Sequence, residues 1–211
     1  MEYKNFSERN EYANRRLQEW EVNQNPIAEF DKWFKNTVKH NVFQPDAFAV
    51  SSVSSSGKPS SRIVLLKEYS QLGYCFFSNY NSRKGIEFEH NSQVAALFYW
   101  AELEQQIRIE GTVVKLTTEK SDEYFASRSH ESQIASIISD QSQVIENREL
   151  LHSKFDEYMQ RNAKPMRPAT WGGYCIVPDY FEFWQGAPHR LNDRICYEKQ
   201  AAGWKIYRLA P

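Results

Sequence analysis

Residues 60–67 read Ser-Ser-Arg-Ile-Val-Leu-Leu-Lys, a run of four aliphatic side chains with a cation at each end. Such a run is typical of a β-strand, in which successive side chains point to opposite faces. Arg62 then shares one face with Val64 and Leu66, and Lys67 lies on the other. At about 3.3 Å per residue the two cations are roughly 16 Å apart, too far for one small anion to contact both. We therefore predict two anion sites at the ends of one buried strand. The alternative is a plain core strand whose end charges reach solvent.

The composition indicates a folded globular protein without a strongly basic surface. The chain has 211 residues, 41% of them hydrophobic and 15% aromatic, and a formal net charge of −1 at pH 7. These values argue against a disordered chain and against a protein that coats nucleic acid, so any anion site must be local. We predict a polar N-terminal arm over residues 1–25 and a single domain over residues 26–211.

The sequence also predicts a cytoplasmic protein without a metal. Its first residues, Met-Glu-Tyr-Lys-Asn-Phe-Ser-Glu-Arg-Asn, are polar and charged, unlike a signal peptide, and no stretch reaches the roughly 18 apolar residues of a membrane span. Cys75, Cys175 and Cys196 are odd in number and lie among apolar residues, which indicates reduced thiols. The five histidines include no pair at metal-ligand spacing.

Hydrophobic periodicity and turn residues predict many short strands interrupted by helices. A helix begins at Pro26, where Ile27, Phe30, Trp33 and Phe34 follow the spacing of a buried stripe. Strands are predicted at 47–53, 60–67, 73–78, 93–100, 106–116, 173–177, 180–185, 190–197 and 204–208. Further helices are predicted after residue 82 and at 118–127, 133–138 and 146–161. This order indicates an α+β fold built on a closed or nearly closed, mainly antiparallel β-barrel.

Arg83 and Lys84 follow two N-cap candidates, Asn81 and Ser82, so both cations fall in the first turn of a helix. The helix dipole disfavours cations there, and a residue choice that conflicts with a local preference tends to mark a functional site. Because a helix N-terminus favours phosphate, the two cations would complete a phosphate site. A solvated Arg-Lys pair is the alternative.

A second group of polar residues lies on the helix predicted at 118–127. Tyr124 and Arg128 are four residues apart and share a face, and Ser132 follows about one turn later. Together with Lys67 they could hold a second phosphate. Taken alone, such a pair is more often an ordinary surface contact on a helix.

The third candidate segment is 183–194, Phe-Trp-Gln-Gly-Ala-Pro-His-Arg-Leu-Asn-Asp-Arg. In a strand beginning at Arg190, the side chains of Arg190, Asn192 and Arg194 would line one face beside Trp184. Such a face could receive a flat, anionic, aromatic ligand, and an exposed polar strand face is the alternative. Gln106 and the pair Gln141-Ser142 add groups that hydrogen-bond a heterocycle.

Taken together, these segments resemble the pyridoxine/pyridoxamine 5′-phosphate oxidase family. The matching segments, in order, are PSSRIVLLK (59–67), FFSNYNSRKG (76–85), LFYWAELEQQIRIEG (97–111), SDEYFASR (121–128), DQSQVI (140–145), WGGY (171–174), EFWQG (182–186), HRLNDR (189–194) and WKIYRLAP (204–211). Arg9–Tyr12 and Leu17 match the family's N-terminal arm more weakly.

The resemblance implies an FMN-binding split β-barrel of Greek-key type, flanked by helices. It also implies a homodimer with flavin mononucleotide (FMN) at the subunit interface. Arg62, Arg83 and Lys84 are implied to hold the flavin phosphate. Further cofactor contacts are implied for Ile63, Val64, Leu65, Leu66, Lys67, Phe77, Ser78 and Gln106, and, from the partner subunit, for Gln141, Ser142, Trp184 and Arg194. Lys67, Tyr124, Arg128 and Ser132 are implied to bind the substrate phosphate, with Arg190 and Asn192 as catalytic residues over the pyridine ring.

The implied reaction oxidises pyridoxine 5′-phosphate and pyridoxamine 5′-phosphate to pyridoxal 5′-phosphate. A hydride passes from the substrate C4′ to flavin N5, and O₂ reoxidises the flavin and gives hydrogen peroxide. Two departures from the family pattern stand out. Asn192 replaces the usual histidine and cannot titrate near neutral pH. Ala135-Ser136-Ile137 replaces the usual Gly-Ala-Trp and is expected to change packing near the cofactor.

Other functions remain open from the sequence. The same barrel could bind flavin or pyridoxal phosphate without oxidase turnover, although a flavin carrier would not need the second phosphate group of residues. A sibling flavin reductase of the same fold is a further alternative. A module for single-stranded nucleic acid is disfavoured by the net charge near zero and by the lack of a basic stripe.

Overall fold

The computed structural model describes residue 12 and residues 16–161 and 164–211. Of the weak match to the family's N-terminal arm, Tyr12 and Leu17 are described, whereas residues 9–11 and most of the predicted arm lie outside the described residues. The described part of the arm, residues 16–25, consists of turns and irregular backbone. No helix in the described ranges is long and apolar enough to cross a membrane.

The described ranges contain five α-helices, each close to where the sequence predicts one. They are α1 (Pro26–Lys39), α2 (Arg83–His90), α3 (Thr118–Ser127), α4 (His130–Ile138) and α5 (Arg148–Gln160). Local capping explains their starts, because side chains of Asn25, Ser82, Thr117, Ser129 and Asn147 each accept a hydrogen bond from a backbone N–H in the following turn.

Nine strands form one antiparallel sheet in these ranges. They are β1 (Ala47–Val53), β2 (Pro59–Leu65), β3 (Glu68–Ser70), β4 (Gly73–Asn79), β5 (Gln93–Trp100), β6 (Gln105–Lys115), β7 (Trp171–Gln185), β8 (Asp193–Gln200) and β9 (Gly203–Arg208). The strand order is β2-β1-β5-β6-β7-β4-β3, with β8 paired to β7 and β9 to β8. Helices beside an antiparallel sheet confirm the α+β class.

The chain divides into two compact units. The described residues of the first unit fall within Met1–Pro45, Leu97–Ile109 and Tyr180–Pro211, and the second unit comprises Asp46–Ala96 and Glu110–Asp179. Strands β5, β6 and β7 each have residues in both units. The prediction of one domain over residues 26–211 stays a prediction.

Each unit has its own aromatic core. In the first unit, Phe30 of α1 packs edge-to-face on Phe98 at 5.2 Å, and Trp33 packs on Phe183 at 5.2 Å. In the second unit, Phe76 lies 5.6 Å from Tyr174 of the paired strand β7. These rings are largely shielded from solvent, and those of the second unit hold β4 and β7 together beside the candidate site.

The structure corrects the prediction that residues 60–67 form a buried strand. Strand β2 ends at Leu65 and is the terminal strand of the sheet path, paired with β1 alone on that path. Its outward face is open in the chain, and Ile63 is 66% exposed. Side chains of a strand point to the two faces of the sheet, and the face that carries Ile63 and Leu65 stays exposed in a single chain.

Two further corrections concern the C-terminal strands. The strands predicted at 173–177 and 180–185 are one continuous strand, β7. The strand predicted from Arg190 begins only at Asp193, because His189 and Arg190 have φ of 59° and 63°, which an extended strand does not contain. Arg190, Asn192 and Arg194 therefore do not share one strand face. The short strand β3 was not predicted.

Candidate functional site

A cavity of about 990 Å³ opens in the second unit, and most of the predicted site residues line it. The predicted residues that it brings together are Arg62, Ile63, Val64, Leu65, Lys67, Phe77, Ser78, Arg83, Lys84, Tyr124, Arg128, Ser132, Gln141 and Ser142. Ser60, Ser61, Ser129, Ser136 and Trp171 complete its lining. Its size is at the upper end of the range for small-molecule sites.

Six predicted residues do not line this cavity. Leu66 is buried, and its backbone N–H donates to the carbonyl oxygen of Asp46 at 2.8 Å. Gln106, Trp184, Arg190, Asn192 and Arg194 belong to the first unit. Their assignment to the cofactor and the substrate stays a prediction.

Lys84 lies in the first turn of α2 and is only 7% exposed. Its ammonium group donates to Ser78 Oγ at 2.7 Å, to Gln141 Oε1 at 2.9 Å and to Ser82 Oγ at 3.1 Å. All three acceptors are neutral, and no described carboxylate pairs with it. Burial, helped by the nearby charge of Arg62, lowers the pKa of Lys84 to about 8. A buried cation without a counter-ion favours an anionic ligand.

Arg62 and Arg83 lie beside Lys84 and share one carboxylate. Arg62 Nη2 donates to Glu87 Oε2 at 3.2 Å, and Arg83 Nε donates to Glu87 Oε1 at 2.9 Å. Ser52 and Ser60 also donate to Glu87 Oε2, at 2.5 Å and 2.6 Å. Burial by itself raises the pKa of Glu87, but these four groups together lower it to about 2, so the carboxylate stays ionised at neutral pH.

A second group of cavity residues surrounds Arg128, which follows α3. The Tyr124 ring stacks on Phe77 with centroids 3.8 Å apart, and the Arg128 guanidinium lies 4.8 Å from the centre of the Trp171 ring. Arg128 Nη1 donates to Ser136 Oγ at 2.5 Å. Burial lowers the pKa of Arg128, although an arginine remains charged at any working pH. Arg128 has no carboxylate partner among the described residues.

Lys67 lines the cavity just beyond the end of β2. Its Nζ lies 3.3 Å from Asp46 Oδ2, and the two side chains are 28% and 32% exposed. Its backbone N–H donates to the carbonyl oxygen of Cys75 at 2.9 Å, which fixes the residue against β4. An ion pair this exposed is weak, so the ammonium group remains available to a ligand.

The position of Gln141 corrects one expectation. Gln141 and Ser142 were expected to reach the site from a partner subunit, but both line the cavity of their own chain. Gln141 Oε1 accepts hydrogen bonds from Lys84 Nζ at 2.9 Å and Ser78 Oγ at 3.0 Å. The segment that follows α4 therefore returns to the sheet within one chain.

In the first unit, three of the predicted residues, Trp184, Asn192 and Arg194, have partners of their own. Arg194 donates to both carboxylate oxygens of buried Glu182, at 3.1 Å and 2.9 Å, and to the carbonyl oxygen of Ala210 at 2.9 Å. Asn192 Oδ1 accepts from the backbone N–H of Ala187 at 3.1 Å and closes the loop that carries Arg190. The Trp184 ring packs edge-to-face on Tyr12 at 5.6 Å.

Three important site residues were not predicted from the sequence. Trp171 supports Arg128, Ser136 accepts its hydrogen bond, and Glu87 joins two cations of the first group. Ser136 lies in a segment where the sequence departs from the family pattern, and this departure could have marked it as a site residue. Glu87 offered none, because a glutamate on an amphipathic helix is ordinarily exposed. No cluster of three or more His, Cys, Asp or Glu side chains suited to a metal occurs in the part of the chain that the structure describes.

The fold is an α+β split β-barrel of the kind found in FMN-binding proteins. A solved FMN-binding protein from Nostoc punctiforme, related to pyridoxamine 5′-phosphate oxidase, shares this fold with a TM-score of 0.68 at 10% identity, over 84% of this chain and 97% of that chain. PhzG from Burkholderia lata 383, solved in complex with tetrahydrophenazine-1-carboxylic acid, has a TM-score of 0.90 at 29% identity. That match covers 96% of this chain and 100% of that chain. The predicted split barrel is thus confirmed.

Sequence comparison narrows the assignment from the fold to the family. Residues 34–162 match the family model described as pyridoxamine 5′-phosphate oxidase, and residues 171–211 match the pyridoxine 5′-phosphate oxidase C-terminal dimerisation region. A pyridoxine/pyridoxamine 5′-phosphate oxidase of Burkholderia thailandensis is 48% identical over 207 residues, which cover 96% of this chain and 97% of the relative. Relatives of the same name from Burkholderia mallei and Burkholderia pseudomallei are equally similar. The chain belongs to the pyridoxine/pyridoxamine 5′-phosphate oxidase family.

Proposed function

We propose that this protein is an FMN-dependent oxidase that converts pyridoxine 5′-phosphate and pyridoxamine 5′-phosphate to pyridoxal 5′-phosphate. When bound, the flavin would supply the redox chemistry, accepting a hydride from the substrate C4′ and passing the electrons to O₂ to give hydrogen peroxide. The protein would act in making or salvaging pyridoxal phosphate. A cytoplasmic location remains part of the proposal.

One observation carries the proposal: a single cavity contains two groups of cations with too few carboxylates to neutralise them. Lys84 is buried among neutral acceptors, and Arg62 and Arg83 share the single carboxylate of Glu87. Arg128 has only a serine and an aromatic face as described partners. A flavin phosphate and a substrate phosphate would supply the missing negative charge, so the residues that line the cavity fit both phosphates.

The two groups suggest how the ligands are divided. Arg62, Arg83 and Lys84 would hold the flavin phosphate at the N-terminus of α2, where backbone N–H groups add to the positive field. Lys67, Tyr124, Arg128 and Ser132 would hold the substrate phosphate. Backbone and side chains of β2, with Phe77, Ser78 and Gln141, would line the cofactor between them.

The protein's part in the reaction is to position two rings and to hold their charges. No side chain of the cavity needs to act as a nucleophile. Arg190 would place its guanidinium over the substrate ring, and Asn192 would keep the loop of Arg190 closed through its bond to Ala187. Because an amide does not titrate near neutral pH, residue 192 would orient the substrate without exchanging a proton.

A homodimer belongs to the proposal. The match of residues 171–211 to a C-terminal dimerisation region supports it. So does the exposed aliphatic face of β2, which lines the cavity and is uncovered in one chain. Trp184, Arg194 and Gln106 would then complete a cofactor site at the subunit interface.

The proposal is tested by mixing the purified, flavin-loaded protein with each substrate under anaerobic conditions while flavin absorbance is followed. The expected result is bleaching, with colour restored by air and pyridoxal phosphate formed in equal amount. Arg128→Met should raise the KM for both substrates at least tenfold, since a charge-assisted contact with the phosphate is lost. Exposed Arg161→Met, which does not line the cavity, serves as the matched control.

Two results would contradict the proposal in different ways. A bound flavin that stays oxidised with both substrates would leave a flavin-binding protein or a sibling reductase of the same fold. A protein that takes up no FMN would remove the cofactor assignment as well.

A further inference from the structure

Within the described residues, Glu87 is the only carboxylate that forms an ion pair with Arg62 or Arg83. It lies on α2 and is 4% exposed. Its carboxylate is not part of the described lining of the 990 Å³ cavity, whereas Arg62, Arg83 and Ser60 are. Glu87 instead lines a neighbouring cavity of about 490 Å³, which shares Arg83 and Ser142 with the first. Within the 990 Å³ cavity it can therefore act on a ligand only through the cationic wall, formed by Arg62, Arg83 and Lys84.

The contacts of Glu87 divide between its two oxygens. Oε2 accepts from Ser52, Ser60 and Arg62 Nη2, and Oε1 accepts from Arg83 Nε at 2.9 Å. Arg62 also donates to Ser52 Oγ and Ser60 Oγ, both at 2.5 Å, so its guanidinium is held from several sides. The Arg83 side chain is 54% exposed, and within the described residues Glu87 is its one ion-pair partner.

These observations lead to an inference that rests on the proposed function and deepens it. We propose that Glu87 is a positioning residue: its carboxylate holds the Arg83 guanidinium in the orientation in which it contacts the flavin phosphate. An arginine on the first turn of a helix has many rotamers in water, and fixing it before the ligand arrives lowers the entropic cost of binding.

The charge of Glu87 also sets the kind of anion that fits. Arg62, Arg83 and Lys84 bring three positive charges, and Glu87 reduces the total to two. A phosphate monoester carries close to two negative charges at neutral pH. The wall is therefore matched to a doubly charged phosphate, and a singly charged carboxylate would leave it under-neutralised.

The test is a double-mutant cycle on FMN affinity in the full-length protein, measured by quenching of flavin fluorescence. Glu87→Gln keeps an oxygen for Arg62 and the serines, but turns an amide NH₂ toward Arg83 Nε–H, so it releases Arg83 selectively. We expect FMN to bind roughly tenfold more weakly, the size of one lost charge-assisted hydrogen bond. In an Arg83→Met background the same substitution should change the affinity by less than about twofold.

Controls separate this role from general damage to the fold. Glu89→Gln removes a carboxylate from the same helix, where it pairs with Lys115 at the surface, and should leave FMN affinity unchanged. Glu87→Asp keeps the charge but withdraws it from Arg83, so it should weaken FMN binding as Glu87→Gln does. If Glu87→Gln destabilises the fold, the FMN affinity of Glu87→Asp tests the same role.

Every outcome of the double-mutant cycle bears on the inference. A loss of FMN affinity in Glu87→Gln that nearly disappears in the Arg83→Met background supports it. Unchanged or tighter FMN binding in Glu87→Gln, or an undiminished effect in the Arg83→Met background, would overturn it while leaving the proposed function standing. A wild-type protein that binds no FMN would overturn both.

Discussion

Lys84 is a buried cation, and its lowered pKa makes both the stability of the fold and the binding of an anion depend on pH. Burial lowers the pKa of its ammonium group from 10.5 to about 8, with a smaller contribution from Arg62. The folded value lies below the unfolded one. The cost of burying the charge is thus fully present below pH 8 and disappears as pH rises from 8 towards 10.5.

FMN affinity should fall as pH rises through about 8. A bound phosphate raises the pKa of Lys84 again, so above pH 8 the ligand must bind together with a proton. The dissociation constant should then increase by up to about tenfold per pH unit. Titration of FMN fluorescence between pH 6.5 and 9.5 measures this. Lys84→Arg stays charged throughout and should give a nearly flat profile. An equally steep profile in that variant would assign the titration to another group.

Ser136 makes a second residue-scale prediction, because its hydroxyl accepts a hydrogen bond from Arg128 at 2.5 Å. Removing this acceptor in Ser136→Ala leaves the guanidinium less well oriented toward the substrate phosphate. The KM for both phosphorylated substrates should rise roughly three- to tenfold, with little change in kcat. Ser136→Thr keeps the hydroxyl and should restore the KM.

Ser127→Ala provides the matched control for Ser136. Its hydroxyl donates to the carbonyl oxygen of Tyr124, and the side chain is exposed and does not line the cavity. Steady-state kinetics of the three variants would decide the role of Ser136. A fall in kcat at constant KM in Ser136→Ala would contradict a role in orienting Arg128.

At this scale, residues with local patterns could be predicted and residues with distant partners could not. Arg83 and Lys84 conflict with the dipole of their own helix, and Tyr124 and Arg128 are spaced by one turn, so the sequence carried both signals. Glu87 meets Ser52 and Ser60 across 35 and 27 residues. No helical or strand period encodes such a contact.

The helix α2 connects these residues to the fold at the scale of an element. Ser82, fully buried at its N-terminus, accepts from the backbone N–H of Gly85 and also from Lys84 Nζ at 3.1 Å. The same hydroxyl therefore begins the helix and holds the cation. Ser82→Ala should lower the free energy of unfolding by about 1 kcal/mol through loss of the cap.

The same substitution should weaken FMN binding several-fold, since Lys84 loses one of its three acceptors. Asn147→Ala removes the cap of α5, where Asn147 Oδ1 accepts from Leu150 N–H at 2.8 Å, and does not touch the cavity. Denaturant unfolding and FMN titration of both variants separate the two effects. Equal FMN affinity in Ser82→Ala and the wild type would show that the Ser82 hydroxyl is only a cap.

The sequence predicts a helix or strand well where residues next to its ends determine where it begins and ends. The bounds of β1 and α3 agree with the sequence prediction, because turn residues and Thr117 mark their ends. The predicted break between residues 177 and 180 is wrong, since β7 continues through Pro178. Residues 171–176 of β7 pair with β4 and residues 180–185 pair with β8, so Pro178 falls between these two ladders. Such a change of partner is a tertiary event that the sequence does not display.

At the scale of the whole molecule, the exposed face of β2 is the feature that a single chain leaves unexplained. Ile63 and Leu65 are 66% and 38% exposed, and they lie opposite Ala49 and Ala47 of β1. The sequence predicted this run as buried because four aliphatic residues in a row ordinarily are. If β2 lies in the interface of the proposed homodimer, a second copy of the chain would bury this face, which would explain why the run is as apolar as a core strand.

Ile63→Glu should therefore shift the protein from dimer to monomer. Each dimer would lose two buried isoleucines, at about 2 kcal/mol each, which corresponds to roughly a thousandfold weaker dimerisation. Light scattering across a dilution series measures the change. Leu72→Glu alters a side chain that is 78% exposed in the turn between β3 and β4 and should leave the assembly unchanged. If Ile63→Glu remained dimeric at the dilution where the wild type does, the β2 face would lie outside the interface. The aliphatic run would then serve the flavin alone, as its place in the lining of the cavity allows.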